Sequence, residues 1–213
     1  MRGIKFMNDW NGNKASVRAQ LGLAQQGNVA DRETNDFYAT HPIVVESLLQ
    51  HYELPYCIWE CACGAGHIAK VLQEAGHYVY ATDLINRGYG TADVDFLATE
   101  TVPDWCKCIL TNPPYKYATE FVLHSLELLP TGGICCMLLN ISYLSGITRY
   151  QKIYSKYPPK MIFVFTGRVH CAKNGDFKQF GDSAINYGWF IWEKDYIGET
   201  VIKWIDINDT RRK

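Results

Sequence analysis

Tyr56-Cys57-Ile58-Trp59-Glu60-Cys61-Ala62-Cys63-Gly64-Ala65-Gly66 is an apolar, aromatic run that breaks at two glycines, and His67-Ile68-Ala69-Lys70-Val71-Leu72 follows it directly. The first part, Tyr56 to Cys61, has the residue types of a short strand. Beyond the glycines the period changes. Ile68, Val71, Leu72 and Ala75 recur three and four apart, which places them on one face of a helix that starts near His67 and stops at Gly76. Strand, glycine turn and helix in that order are the opening of a βαβ unit, so this stretch decides for an α/β fold.

The pattern extends in both directions. Upstream, Thr40 and Pro42 mark a helix start, and Ile43, Val44, Ser47, Leu48 and His51 keep helical spacing to about Tyr52. Downstream, a strand Tyr78–Thr82 ends in Asp83, a short strand is expected near Val94–Leu97, and Cys106–Leu110 runs as a strand into Asn112. A helix is expected over Tyr117–Leu129, stopped by Gly132 and Gly133. Ile134–Leu139 reads as a strand apolar on both faces. A further helix spans about Ile147–Tyr157, and Met161–Phe165 and Ala184–Trp192 read as two strands joined by a long loop. The alternation predicts a mostly parallel sheet of about seven strands, with helices on both faces and a C-terminal antiparallel hairpin. Residues 1–34, rich in Asn, Gln and Gly, read as a flexible arm, and 35–213 as a single domain.

Composition narrows the function classes. With 47% hydrophobic, 20% charged and 14% aromatic residues in a chain of 213, this is a globular composition. The longest apolar run, Ile134–Leu139, is far short of a membrane span, and Met1–Lys14 lacks the apolar core of a signal peptide, so a cytoplasmic protein without membrane contact is expected. Eight cysteines are too dilute for a disulfide scaffold. The pairs Cys61/Cys63 and Cys106/Cys108 have one residue between them, shorter than most zinc knuckles and on expected strands, so no metal is expected. Net charge is only −1, yet Arg149, Lys152, Lys156, Lys160, Arg168, Lys173 and Lys178 are opposed in their stretch by Asp176 alone. A local basic surface of this kind can hold phosphates, although a solvated helix face would look the same.

In such sheets ligands bind where strands end at their carboxyl side. The first strand delivers Glu60, Cys61, Gly64 and Gly66, the second Asp83, placed to accept from ribose hydroxyls, and the third Asp95 and Phe96, a carboxylate and an aromatic face for adenine. Gly64, Gly66 and Ala69 also fit the G-x-G-x-x-A fingerprint of dinucleotide enzymes, which leaves a nicotinamide-dependent oxidoreductase open. Glu60 argues for the other reading: a carboxylate there suits a cationic amino group better than a pyrophosphate, and S-adenosylmethionine carries the former and no phosphate. The fourth strand runs into Asn112-Pro113-Pro114-Tyr115. Two prolines stiffen the backbone, so the Pro113 carbonyl and the Asn112 side-chain oxygen can both accept from a planar NH2 group. Tyr115 adds a ring on which a planar base can stack.

Taken together, these motifs resemble the amino-group branch of the Rossmann-like class I S-adenosylmethionine-dependent methyltransferases, specifically the small phage-type DNA adenine N6-methyltransferases, over about Asn35 to Trp192. The resemblance adds Phe37-Tyr38-Ala39-Thr40-His41-Pro42 as the upstream segment that packs on the methionine end of the cofactor, with His41 intervening where the family has a plain aromatic-Thr-Pro. It implies S-adenosylmethionine held by Tyr38, Thr40, Pro42, Glu60, Cys61, Gly64, Gly66, Asp83, Asp95 and Phe96. It implies catalysis by Asn112, Pro113, Pro114 and Tyr115, and DNA as the partner. The arm before Asn35 and the loop Gly167–Ser183, with Arg168, Lys173 and Lys178, are the available room for holding DNA. The same tetrapeptide serves enzymes acting on RNA adenine or on a protein glutamine amide, and DNA is preferred on the resemblance alone.

Overall fold

The computed structural model describes residues 38–167, 169, 171–173 and 185–208. The expected arm, together with Arg168 and Lys178, lies outside them. The strands are β1 (Tyr38–Thr40), β2 (Cys57–Glu60), β3 (Tyr78–Ala81), β4 (Cys108–Thr111), β5 (Ile134–Asn140), β6 (Met161–Phe165), β7 (Cys171–Lys173), β8 (Tyr187–Glu193) and β9 (Val201–Ile205). The helices are α1 (Pro42–His51), α2 (His67–Glu74), α3 (Ala118–Leu128) and a short α4 (Ile147–Arg149) that widens into a π turn over Tyr150–Tyr154.

Seven strands form one sheet in the order β3-β2-β4-β5-β8-β6-β9. All run parallel except β8, which is antiparallel to both β5 and β6. Chain order reverses between β2 and β4: from β2 the chain moves outward to β3, then returns to the other side of β2. At such a switch point the connections leave in opposite directions and a crevice opens at the carboxyl ends of the strands. Glu60 and Asn112 stand on its two sides.

β5 is the spine of the sheet, buried along its length as its unbroken apolar sequence predicts. Alternate residues of the strands serve different packing. Ile58, Leu110, Cys136 and Leu138 join Val44, Leu48, Ile68 and Leu72 of α1 and α2 in one core cluster. Trp59, next to Ile58, meets Phe96 instead, with ring centroids 5.3 Å apart, and Phe96 meets Phe121 of α3 at 4.9 Å.

Two expectations are corrected. No strand forms near Val94–Leu97: Asp95 Oδ1 accepts from the Leu97 amide and caps a 3₁₀ turn over Phe96–Ala98, leaving a single bridge between Thr82 and Thr91. Thr40 does not start α1. His41 is its N-cap, its ring Nδ1 accepting from the Ile43 amide at 3.3 Å, with Pro42 in the first turn. The expected C-terminal antiparallel pair forms, as β6 against β8, and β9 adds to the far side of β6 in parallel. A small two-stranded ribbon, β1 antiparallel to β7, stands apart from the main sheet and was not expected. Among the described residues no helix is long and apolar enough to cross a membrane.

Leu138, fully buried at the centre of β5, tests the core. Leu138→Ala should lower unfolding stability by roughly 2–5 kcal/mol, read as a fall in denaturant midpoint at unchanged slope.

Candidate active site

The turn after β2 is built by an acid from the next strand. Asp83 Oδ2 accepts from the Gly64 amide at 2.7 Å and its Oδ1 from the Ile85 amide at 2.8 Å, so one carboxylate joins the ends of β2 and β3. Gly64 and Gly66 both have positive φ, +54° and +80°. At Gly66 the need is also steric, since a Cβ would lie 2.4 Å from the Tyr89 ring. Tyr89 therefore lies directly against the turn, its hydroxyl donating to Gln73 Oε1 at 2.9 Å and the Lys70 ammonium 5.0 Å from its ring centre. Its sequence signal is slight, an aromatic between Gly88 and Gly90.

Glu60 ends β2 only 1% exposed, and its Oε2 has no hydrogen-bond partner among the described residues. Burial holds its carboxyl well above the ordinary carboxylate range, Asp83 pushes the same way, and the Ala69 amide opposes both. The Tyr89 hydroxyl is raised by burial first and then by Glu60, which puts turn, acid and ring in one neighbourhood. At the start of α2, burial and then Lys70 lower the His67 pKa, so this imidazole is neutral at physiological pH. The neighbourhood is rich in carboxyl oxygens and partly dry. Its fit is to a cationic group able to donate hydrogen bonds, the character of the amino end of S-adenosylmethionine.

Across the crevice, Asn112 follows β4. Its Nδ2 donates to the Tyr38 carbonyl at 3.1 Å and to Thr40 Oγ1 at 3.2 Å, while Thr111 Oγ1 reaches the Ala62 carbonyl at 3.5 Å. Thus β1 fixes the asparagine amide, and β4 is linked to the glycine turn. β1 also contacts α2, so the upstream segment lies between the two expected centres. Pro114 leads into a 3₁₀ turn over Tyr115–Tyr117. The Tyr115 ring stacks with Tyr38, at 5.8 Å, and with Tyr187, at 5.9 Å.

The structure thus brings together Tyr38, Thr40, Glu60, Gly64, Gly66, Asp83, Asn112 and Tyr115. Cys61, 2% exposed, is buried in the same turn, and burial holds its thiol well above the ordinary value. Pro42 sits in the first turn of α1, directly after the His41 cap. Phe96 stands apart. It is 2% exposed and packed by Trp59, Phe121 and His124, so it offers no open ledge, and Asp95 is engaged as a cap. Lys173 lies in β7 opposite Tyr38. No group of three metal-binding side chains occurs among the described residues. Within the basic stretch, Arg149 donates to the Ser142 and Ser145 carbonyls and Lys160 pairs with Glu193 at 2.5 Å, whereas Lys152 and Lys156 are exposed.

No protein-family model and no curated protein matches this chain. Solved structures do. One, from Listeria monocytogenes and described as a class I S-adenosylmethionine-dependent methyltransferase, superimposes with a TM-score of 0.56 at 14% identity, covering 90% of this chain and 72% of the other. A type I restriction-modification methyltransferase subunit from Streptococcus thermophilus gives 0.55 at 14% identity over 80% of this chain, which spans 47% of that subunit. A Lactococcus lactis protein described as a hemolysin also gives 0.55, at 10% identity, over 80% of this chain and 94% of its own. The chain has the class I methyltransferase fold.

Two variants test the glycine turn and the buried acid. Gly66→Ala forces a side chain into left-handed backbone and against Tyr89, and should lower the melting temperature by roughly 2–8 °C. For Glu60 the sign follows from its raised folded pKa. Below the ordinary value of 4.5 both states are protonated and nothing is lost; as pH rises above it the unfolded chain ionises first and stability falls. Glu60→Gln should therefore stabilise the ligand-free protein, by a margin that grows from about pH 4.5 upward in pH-dependent melting curves; a margin independent of pH would mean that Glu60 titrates normally.

Proposed function

We propose that this chain transfers a methyl group from S-adenosylmethionine to the exocyclic amine of adenine in DNA. The observation that carries the proposal is the pairing, across one switch-point crevice, of a buried carboxylate with an unpartnered oxygen and an asparagine whose amide nitrogen is already committed. Glu60 would hold the cofactor's amino group, Asp83 its ribose, and the Gly64–Gly66 turn its backbone-hugging side, with Tyr38, Thr40 and Pro42 toward the methionine end. Bound there, the cofactor supplies an electrophilic methyl on a sulfonium.

The chain's own residues prepare the acceptor. With Nδ2 of Asn112 donating to Tyr38 and Thr40, Oδ1 is the atom of that amide that would accept a substrate N–H, and the Pro113 carbonyl would accept the second. Two such bonds draw the amine nitrogen out of conjugation, an interaction that strengthens as it becomes tetrahedral. Tyr115 holds the plane of the base. No general base is needed, since the methylated amine is acidic enough to lose its proton to water. The acceptor oxygens of Glu60 and Asp83 support S-adenosylmethionine over a dinucleotide, since they suit a cationic N–H donor and offer a pyrophosphate no donor. DNA is supported by the fold shared with the restriction-modification subunit, by exposed Lys152 and Lys156, and by the motif resemblance.

Incubation with labelled S-adenosylmethionine and DNA, RNA or protein, followed by nucleoside and amino-acid mass spectrometry, should place the label on N6 of DNA adenine. Label on cytosine, RNA or glutamine would sink the substrate assignment. Asn112→Ala should reduce turnover about 10²–10³-fold with cofactor affinity unchanged in calorimetry. Asp83→Ala should weaken that affinity about tenfold or more, losing the ribose contact and the Gly64 tether together.

A further inference from the structure

Two rings stack on Tyr115. One of them, Tyr187, is 3% exposed and belongs to the core cluster with Trp189 and Phe163, so it cannot yield its place without unpacking the sheet. The other, Tyr38, is half-buried and belongs to a strand of three residues outside the main sheet. The Tyr38 and Tyr115 centroids are 5.8 Å apart, with 30° between the planes. A third ring between them would require the outer pair to be about 9 Å apart or more, twice the shortest usual stacking separation. A base that stacks on the face of Tyr115 toward Tyr38 must therefore take the position Tyr38 holds.

We propose that Tyr38 is a place-holder for the target base: its ring stacks on Tyr115 and is displaced when the base enters, which makes it a positioning residue for the proposed reaction. This rests on the DNA-adenine reading above. The exchange requires little of the fold. Rotation about the Cα–Cβ bond of Tyr38 moves the ring but leaves its carbonyl where it is, so the carbonyl continues to accept from Asn112 Nδ2. Thr40 Oγ1, on a side chain only 2% exposed, anchors the same amide from the other side. The asparagine thus stays aimed while the stacking slot changes occupant. Competition with Tyr38 also sets a threshold: a base held weakly in its duplex wins the slot more readily than one held well.

The target site is first mapped by sequencing the DNA methylated by the wild-type protein; if no DNA adenine is methylated, the functional reading itself fails. A duplex carrying that site, with 2-aminopurine in place of the target adenine, then reports base extrusion by its fluorescence without any methyl transfer. Tyr38→Ala should raise the extruded-to-stacked ratio by a few-fold to about tenfold, the range of one aromatic pair, with overall DNA affinity changed less than twofold. Tyr38→Phe keeps the ring and should match wild type. In the Tyr38→Ala/Tyr115→Ala double variant the gain should vanish, since the freed face is gone. Wild-type methylation together with an unchanged or lower ratio in Tyr38→Ala, both variants melting as folded proteins, would overturn the place-holder role and leave the functional reading standing.

Discussion

The two hydrogen bonds from Asn112 Nδ2 hold the site in register. They join residues 72 and 74 positions apart in sequence, and through them the end of β4 is tied to a ribbon outside the sheet. The Tyr38 carbonyl can only accept, so it dictates which way the amide faces; the flipped amide would set two oxygens against each other. An asparagine at a strand end in a solvated loop would sample both orientations. Here the backbone of β1 selects one, and Thr40 gains a role that has nothing to do with starting a helix. His41 takes over that task, which accounts for its presence between Thr40 and Pro42.

Glu60 and Asp83 show how two like side chains come to differ. Asp83 is consumed in building the turn: each of its oxygens receives a backbone amide, and it remains partly accessible. Glu60 is enclosed with one oxygen unmatched, and the negative charge of Asp83 nearby makes its ionisation harder. Such an arrangement lowers the stability of the empty protein. It persists where the unfavourable interaction is relieved on binding, which is why a stability loss concentrated at one buried acid points to function more than to packing.

Much of this was legible in the sequence, and the failures share a cause. β5 and β6 were read within a residue because apolar runs bounded by turns define their own ends, and α2 because Ile68, Val71 and Leu72 keep a strict helical period. β1 and β7 could not be read. Each has three residues, too few for a period, and they pair across more than 130 positions. β9 carries strand-forming residues, but Val201, Ile202 and Trp204 are exposed, so burial does not mark it as part of the sheet. The tetrapeptide Asn112-Pro113-Pro114-Tyr115 is visible as a string. That its asparagine is oriented from β1, and its tyrosine stacked with two others, depends on contacts no local pattern encodes.

The missing strand after Asp83 has the widest consequence for the site. Had Val94–Leu97 extended along β3, Phe96 would have stood at a strand end as a ledge beside the crevice. Instead Asp95 caps a tight turn, and Phe96 enters the core between Trp59 and Phe121, filling the space beneath the sheet. The segment from Leu84 to Gly90, no longer needed to lead into a strand, folds back so that Tyr89 rests on Gly66. Gly90 permits the return, since a Cβ there would lie 2.7 Å from the Ala81 carbonyl. The aromatic that faces the glycine turn is therefore Tyr89, and Phe96 supports the site from below: one residue forms the wall and the other fixes the floor on which β2, and Glu60 with it, is set.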